Sequence, residues 1–208
     1  GTVAFASELP ALLKSDIDHG GIRREAIARY FMFGFIPSPL TAFTNIERLR
    51  PGERLTVTTD DVSRDQYATP TVQCRNPSIK AVAADVRELV ESAVDNRLMS
   101  DVPLGAFLSG GIDSSIIVGV MADLLNEPVQ TFTVGFNEDL FDESMAARHV
   151  ADLHETDHHE FTVTPDNVQD TIPDVLDKLG EPFADPSLIP TSIVARKTSQ
   201  DVKVALSG

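Results

Sequence analysis

The stretch LGAFLSGGIDSS, residues 104–115, constrains this chain more than any other. Residues 104–108 form an apolar run short enough to be a buried strand. Ser109-Gly110-Gly111 then breaks the run with residues that admit positive φ. Asp113 and Ser114 are side chains favoured at helix N-caps, and residues 115–125 read as a buried helix. A strand, a glycine turn and a helix in that order leave backbone N–H groups at the positive end of the helix dipole. That is an anion site, because glycine lets the backbone approach a phosphate with no side chain between them. No Lys follows the glycines and GxGxxG is absent, so neither of the two commoner phosphate loops is present.

From residue 80 onward, strands and helices alternate. Ser78 is placed to cap a helix whose apolar stripe is Val82, Val86, Leu89, Val90, Ala93 and Val94. VQTFTVGF (129–136) reads as a strand, followed by an acidic loop at 137–142. Residues 143–153 read as a helix with Met145, Ala146, His149, Val150 and Leu153 on one side. A strand at 157–163, a helix at 164–179, the stiff loop PFADPSLIP (182–190), a helix at 189–199 and a strand at 203–206 complete the pattern. Such alternation predicts an α/β fold, a doubly wound parallel sheet with helices on both faces. Right-handed crossovers would bring Gly110, Val134 and Gly208 to the carboxyl edge of that sheet, where ligands bind in open α/β folds.

The first 70 residues read as a small α+β segment. Residues 2–6 suggest a strand and 7–13 a short helix. Ile22, Ala26, Ile27, Tyr30 and Phe31 fall at helical spacing, and Gly34 ends that helix. Residues 54–58 suggest a strand, with Asp60-Asp61 at a hairpin tip. The polar stretch 70–77 marks the expected boundary between residues 1–75 and 76–208.

Net charge is −15 and no basic cluster occurs, which argues against a nucleic-acid partner. Cys74 is the single cysteine, so no intrachain disulfide forms. No run of eighteen apolar residues and no signal-peptide pattern is present, so the expectation is a cytoplasmic protein that does not span a membrane. His158 and His159 invite a metal reading. Neighbouring side chains on a strand point to opposite faces, so the two do not share one ion.

SGGIDSS resembles the pyrophosphate-binding loop of the ATP pyrophosphatases (PP-loop ATPases, adenine nucleotide alpha hydrolase-like). Phe5-Ala6-Ser7-Glu8, the Gly-Phe-Ile-Pro-Ser-Pro within 30–39, and Leu49-Arg50-Pro51-Gly52-Glu53 add a second likeness. In that order ahead of SGGIDSS, they resemble the junction between the glutaminase and synthetase domains of glutamine-dependent asparagine synthetases. The resemblance implies the end of a glutaminase domain with a linker in 1–75, and an ATP pyrophosphatase domain cut short in 76–208. It implies ATP and Mg²⁺, with Ser109, Gly110, Gly111, Ser114 and Ser115 holding pyrophosphate and Asp113 holding the metal. Asp113 and Ser109 would be the catalytic pair, acting on the leaving group. Phe107, Leu108, Val134 and Gly135 would flank the base, and Ser207-Gly208 would open a second loop toward the nucleotide. Aspartate is the default carboxylate, and a glutaminase domain supplies ammonia. Gly1 and Cys74 offer no glutaminase nucleophile. The resemblance leaves room for a homodimer. β-Lactam synthetases and other amidotransferases share the loop, and a nucleotide-binding module without turnover is the alternative of another class.

Overall fold

The computed structural model describes residues 2–72, 77–136 and 143–208. The acidic loop expected at 137–142 and the thiol of Cys74 lie outside the described residues. The chain divides into two compact units, Gly1–Cys74 with Pro173–Pro186, and Arg75–Ile172 with Ser187–Gly208.

The first unit holds α1 (Leu9–Leu13), α2 (Arg24–Phe33) and an antiparallel hairpin of β1 (Glu53–Val57) and β2 (Val62–Gln66). Gly34 stops α2 at φ 78°, and its N–H bonds Tyr30 O at 2.7 Å, a left-handed C-cap. Ala26, Ile36 and Ala42 form the small core, with Ile27 and Tyr30 against it. Phe31, expected on the buried face, is 81% exposed, because the helix turns only the line through Ala26, Ile27 and Tyr30 inward. Residues 2–6 form no strand. A strand needs a hydrogen-bonding partner, and β1 and β2 pair with each other.

Residues 173–186, expected in the second domain, join the first unit through polar contacts. The buried Glu181 carboxylate accepts Ala42 N–H at 3.0 Å and pairs with Arg48. The Arg48 guanidinium also donates to Ile36 O at 3.2 Å and Leu40 O at 3.1 Å. Ala184 N–H bonds Gly34 O at 2.7 Å.

The second unit runs α3 (Ile79–Leu98), β3 (Leu104–Phe107), α4 (Ile112–Leu124), β4 (Gln130–Phe136), α5 (Ser144–Leu153), β5 (Asp157–Val163), the start of α6 (Pro165–Leu179), α7 (Leu188–Thr198) and β6 (Val204–Leu206). Ser78 caps α3 by accepting Ala81 N–H at 3.3 Å. The four strands are parallel, in the order β5-β4-β3-β6. The chain thus steps outward from β3 to β4 to β5, then returns to place β6 on the other side of β3. This is a doubly wound sheet whose direction switches between β3 and β6. Val94 of α3, Val118 and Met121 of α4, and Ala147 and Ala151 of α5 cover one face with Ala106 and Leu108. On the other face Phe132 meets Val194 of α7 and Val202. Helices cover both faces, as the alternation predicts. Among the described residues no helix is long and apolar enough to cross a membrane.

Two helix faces differ from expectation. Only the last part of α3 meets the core: Val94 is buried, while Val82, Val86 and Leu89 are 42%, 52% and 68% exposed. The stripe is real, but a helix of 20 residues outruns a sheet whose neighbouring strand β6 has 3. On α5 the buried line is Ala147 and Ala151, with Met145 76% exposed. Small side chains let α5 lie close to the glycine turn described next.

Candidate functional site

β3 delivers Leu108, buried, whose N–H bonds Phe132 O at 2.9 Å. The chain then turns through Ser109-Gly110-Gly111. Gly110 has φ +76°, and a Cβ there would come within 2.5 Å of Ala146 Cβ and Ala147 N. Glycine is required here by the approach of α5 and by the left-handed backbone. Clearance for an anion is not what this residue provides.

Helix α4 begins earlier than the side chains suggest. Gly111 is its N-cap, and Asp113 and Ser114 stand in the first turn, so neither is the cap expected of them. The cause is that Gly111 O accepts both Ser115 N–H at 3.0 Å and the Ser115 hydroxyl at 2.6 Å. Ser114, almost fully buried, braces the turn instead. Its Oγ accepts Ser109 N–H at 3.3 Å, lies 3.0 Å from Ser109 Oγ and donates to Gly111 O at 3.2 Å. Ser109 Oγ accepts Gly111 N–H at 3.3 Å. These hydroxyls hold the shape of the turn. The amides of Ile112, Asp113 and Ser114 have no partner within the helix, as at any helix start, and they point outward from its positive end.

Ser207 and Gly208 follow β6 across the switch point. A Cβ on Gly208 would sit 2.4 Å from Ser114 N and 2.5 Å from Asp113 C, so this backbone lies directly on the first turn of α4. A cavity of about 430 Å³ opens beside it. Of the residues singled out in sequence, Phe107, Leu108, Ser109, Val134 and Ser207 line the cavity. Gly110, Gly111, Asp113, Ser114, Ser115 and Gly208 form the turn and its cover without lining it, and Gly135 is one residue past Val134, paired with Thr162 of β5. Asp113 is exposed.

Sequence reasoning missed the opposite wall. Ser187, Pro190, Thr191 and Val194 come from α7 and the residue before it, and Glu143 comes from the residue before α5. The signal was the stiff PFADPSLIP loop running into a helix; it read as connection because nothing in it marks a ligand.

His158 and His159 take opposite faces of β5. His158 Nδ1 lies 2.8 Å from Thr131 Oγ1, and burial holds its pKa below the ordinary value, opposed by the nearby Glu160. His159 stacks on Phe132 with ring centroids 5.0 Å apart. Among the described residues no group of three or more His, Cys, Asp or Glu could hold a metal ion.

The turn, the switch point and the cavity lie within a segment that matches a known family. Residues 85–208 match the asparagine synthase model. The chain belongs to the asparagine synthase family. Residues 1–68 match a glutamine amidotransferase domain. An asparagine synthetase [glutamine-hydrolyzing] 1 from Bacillus subtilis is 32% identical over 99% of this chain and 32% of its own length. A putative asparagine synthetase [glutamine-hydrolyzing] 2 from Methanocaldococcus jannaschii is 34% identical over 98% of this chain and 40% of its own. The chain thus spans about a third of the length of the curated relatives it matches. Among solved structures, an NMN synthetase from Francisella tularensis is similar at a TM-score of 0.40 and 12% identity, over 62% of this chain and 54% of that one. That likeness is distant, and the assignment rests on the family model. Within the asparagine synthase segment, both ends of the site, 109–115 and Ser207-Gly208, belong to the matched residues.

Proposed function

We propose that the protein is an ATP-dependent amide-forming synthetase that activates a carboxylate as its adenylate. A carboxylate oxygen attacks the α-phosphorus of ATP, pyrophosphate leaves, and ammonia then displaces AMP from the acyl adenylate. The observation that carries this reading is the meeting of the glycine turn, the first turn of α4 and Gly208 beside a 430 Å³ cavity at the switch point. The residues present fit a polyphosphate: three helix-start amides point away from their own helix, and the backbone of Gly208 lies where a Cβ would fill the cradle. In this reading the amides of residues 112–114 stabilise charge developing on the leaving pyrophosphate, with the Ser109–Ser114 pair holding the turn in place. The apolar wall of Phe107, Phe132 and Val134 receives the base. Mg²⁺, when bound, would screen phosphate charge, and one carboxylate beside phosphates suits it; Asp113, exposed in the first turn, is the residue we assign to hold it.

Aspartate as the carboxylate and glutamine as the ammonia source are part of the proposal, supported by the names of the relatives and by the amidotransferase match at residues 1–68. A cytoplasmic setting belongs to the same reading. The test is exchange of labelled pyrophosphate into ATP by the intact protein. Exchange that depends on aspartate and Mg²⁺ is expected. ATP binding with no exchange under any carboxylate would contradict adenylylation and favour a nucleotide-binding module.

A further inference from the structure

The cavity wall opposite the glycine turn begins where a tethered segment ends. Ser187, Pro190, Thr191 and Val194 line the cavity, and Ser187 follows directly on Pro173–Pro186, the stretch that groups with the first 74 residues. Three ties hold that stretch. Gly180, at φ +70°, lies against Pro10 of α1, where a Cβ would sit 3.0 Å from Pro10 Cδ. The Glu181 side chain, 7% exposed, accepts Ala42 N–H and pairs with Arg48. Ala184 N–H reaches Gly34 O. The tied residues belong to the asparagine synthase match and their partners to the amidotransferase match.

Between the last tie and the cavity, the chain has little room to flex. Pro182, Pro186 and Pro190 each fix φ at about −65°, and each restricts the residue before it. Residues 182–187 are exposed, so side-chain burial does not set their course. The ties at one end and the prolines along the way do. We infer that Glu181 is a positioning residue for the nucleotide site: its pairing with Arg48 fixes, through residues 182–190, where Ser187 and Thr191 stand in the cavity wall. This rests on the reading of the cavity as the ATP site. Coupling of this kind is reciprocal. If the tie favours the binding form of the wall, bound nucleotide strengthens the tie in return, although Glu181 is not among the residues that line the cavity.

The test is hydrogen exchange on the intact protein, with and without Mg²⁺ and α,β-methylene ATP, beside calorimetric titration with the same nucleotide. Bound nucleotide should slow exchange at residues 112–114 and also at the Ala42 and Ala184 amides. Glu181→Gln keeps the side-chain volume and an acceptor for Ala42 N–H, and removes the charge that holds Arg48. It should raise the dissociation constant about fivefold or more, the lower end of couplings between sites, and abolish the added protection at Ala184. Arg48→Lys, which keeps the cation, should fall between the two. A tie that is only structural lowers the urea midpoint but leaves affinity and nucleotide protection as in the wild type; that result overturns the inference. The wild-type exchange measurement needs no variant, so it decides even where Glu181→Gln folds poorly. Protection at residues 112–114 with none at Ala42 and Ala184 overturns the inference and leaves the ATP site standing. No protection at residues 112–114 means that the ATP site is wrongly placed, and the positioning role falls with it.

Discussion

At Asp113, charge and fold come apart. Gly111 caps α4, so Asp113 contributes to folding only through its position at the positive end of the helix. Asp113→Asn should therefore cost about 0.3–1 kcal/mol of stability, the worth of one charge near a helix dipole. In the intact protein it should lower pyrophosphate formation by ~10²-fold or more, the scale of removing one electrostatic contact from a transition state. Parallel urea unfolding and pyrophosphate release check both. Unchanged turnover at limiting Mg²⁺ would remove the metal role. His158 offers a second test at this scale. Burial holds its pKa below the ordinary 6.5, with Glu160 and Asp152 raising it and Arg148 and His159 lowering it further. The native state then binds fewer protons than the unfolded chain. The stability this group contributes is present above about pH 6.5 and is lost as the pH falls below it. The urea midpoint should drop between about pH 7 and pH 5, and drop less in His158→Gln, which keeps a partner for Thr131. Parallel curves would mean that other groups set the acid limb.

Among the elements, β3 is the strand that tolerates least. Gly105 faces Gln130 O and the Phe132 ring at 2.7 and 2.8 Å from where a Cβ would lie. Gly105→Ala should destabilise by about 1–3 kcal/mol through overpacking, read as a lower denaturation midpoint; a neutral result would mean that β4 yields. Strands and helices of the second unit were legible because their period and punctuation agree. β5 spans Asp157–Val163, the run read in sequence, and β4 starts one residue inside the expected run. The parallel sheet with helices on both faces followed from the alternation, whereas the strand order came only with the structure. What the sequence hid was relational. Residues 2–6 have strand composition, but the strand state depends on a partner elsewhere. The stripe on α3 says which side is apolar, not how far the sheet extends beneath it. The cap of α4 sits at Gly111, whose carbonyl takes Ser115 N–H and the Ser114 and Ser115 hydroxyls, ahead of two good capping side chains. In the site, the glycine turn announced itself, whereas Glu143 before α5 and Ser187 and Thr191 at the start of α7 reach the cavity with no motif of their own.

For the whole molecule, Pro173–Pro186 groups with the first 74 residues, and the Glu181–Arg48 pair is the main polar tie. Arg48→Met would leave the buried Glu181 carboxylate with Ala42 N–H alone and strip two carbonyls of their donor. A loss of about 1.5–3 kcal/mol is expected, together with faster proteolysis near residues 180–186. Wild-type protease resistance in this variant would show that the apolar core of the unit suffices. The central claim is that nucleotide binds at the switch point between β3 and β6, with phosphates on the start of α4. The most direct measurement is a crystal structure of the intact protein with Mg²⁺ and α,β-methylene ATP, which resists cleavage at the bond in question. The account predicts the β- and γ-phosphates on the amides of residues 112–114 and the base against Val134. Phosphates bound anywhere else on the chain, with those amides facing solvent, would contradict it.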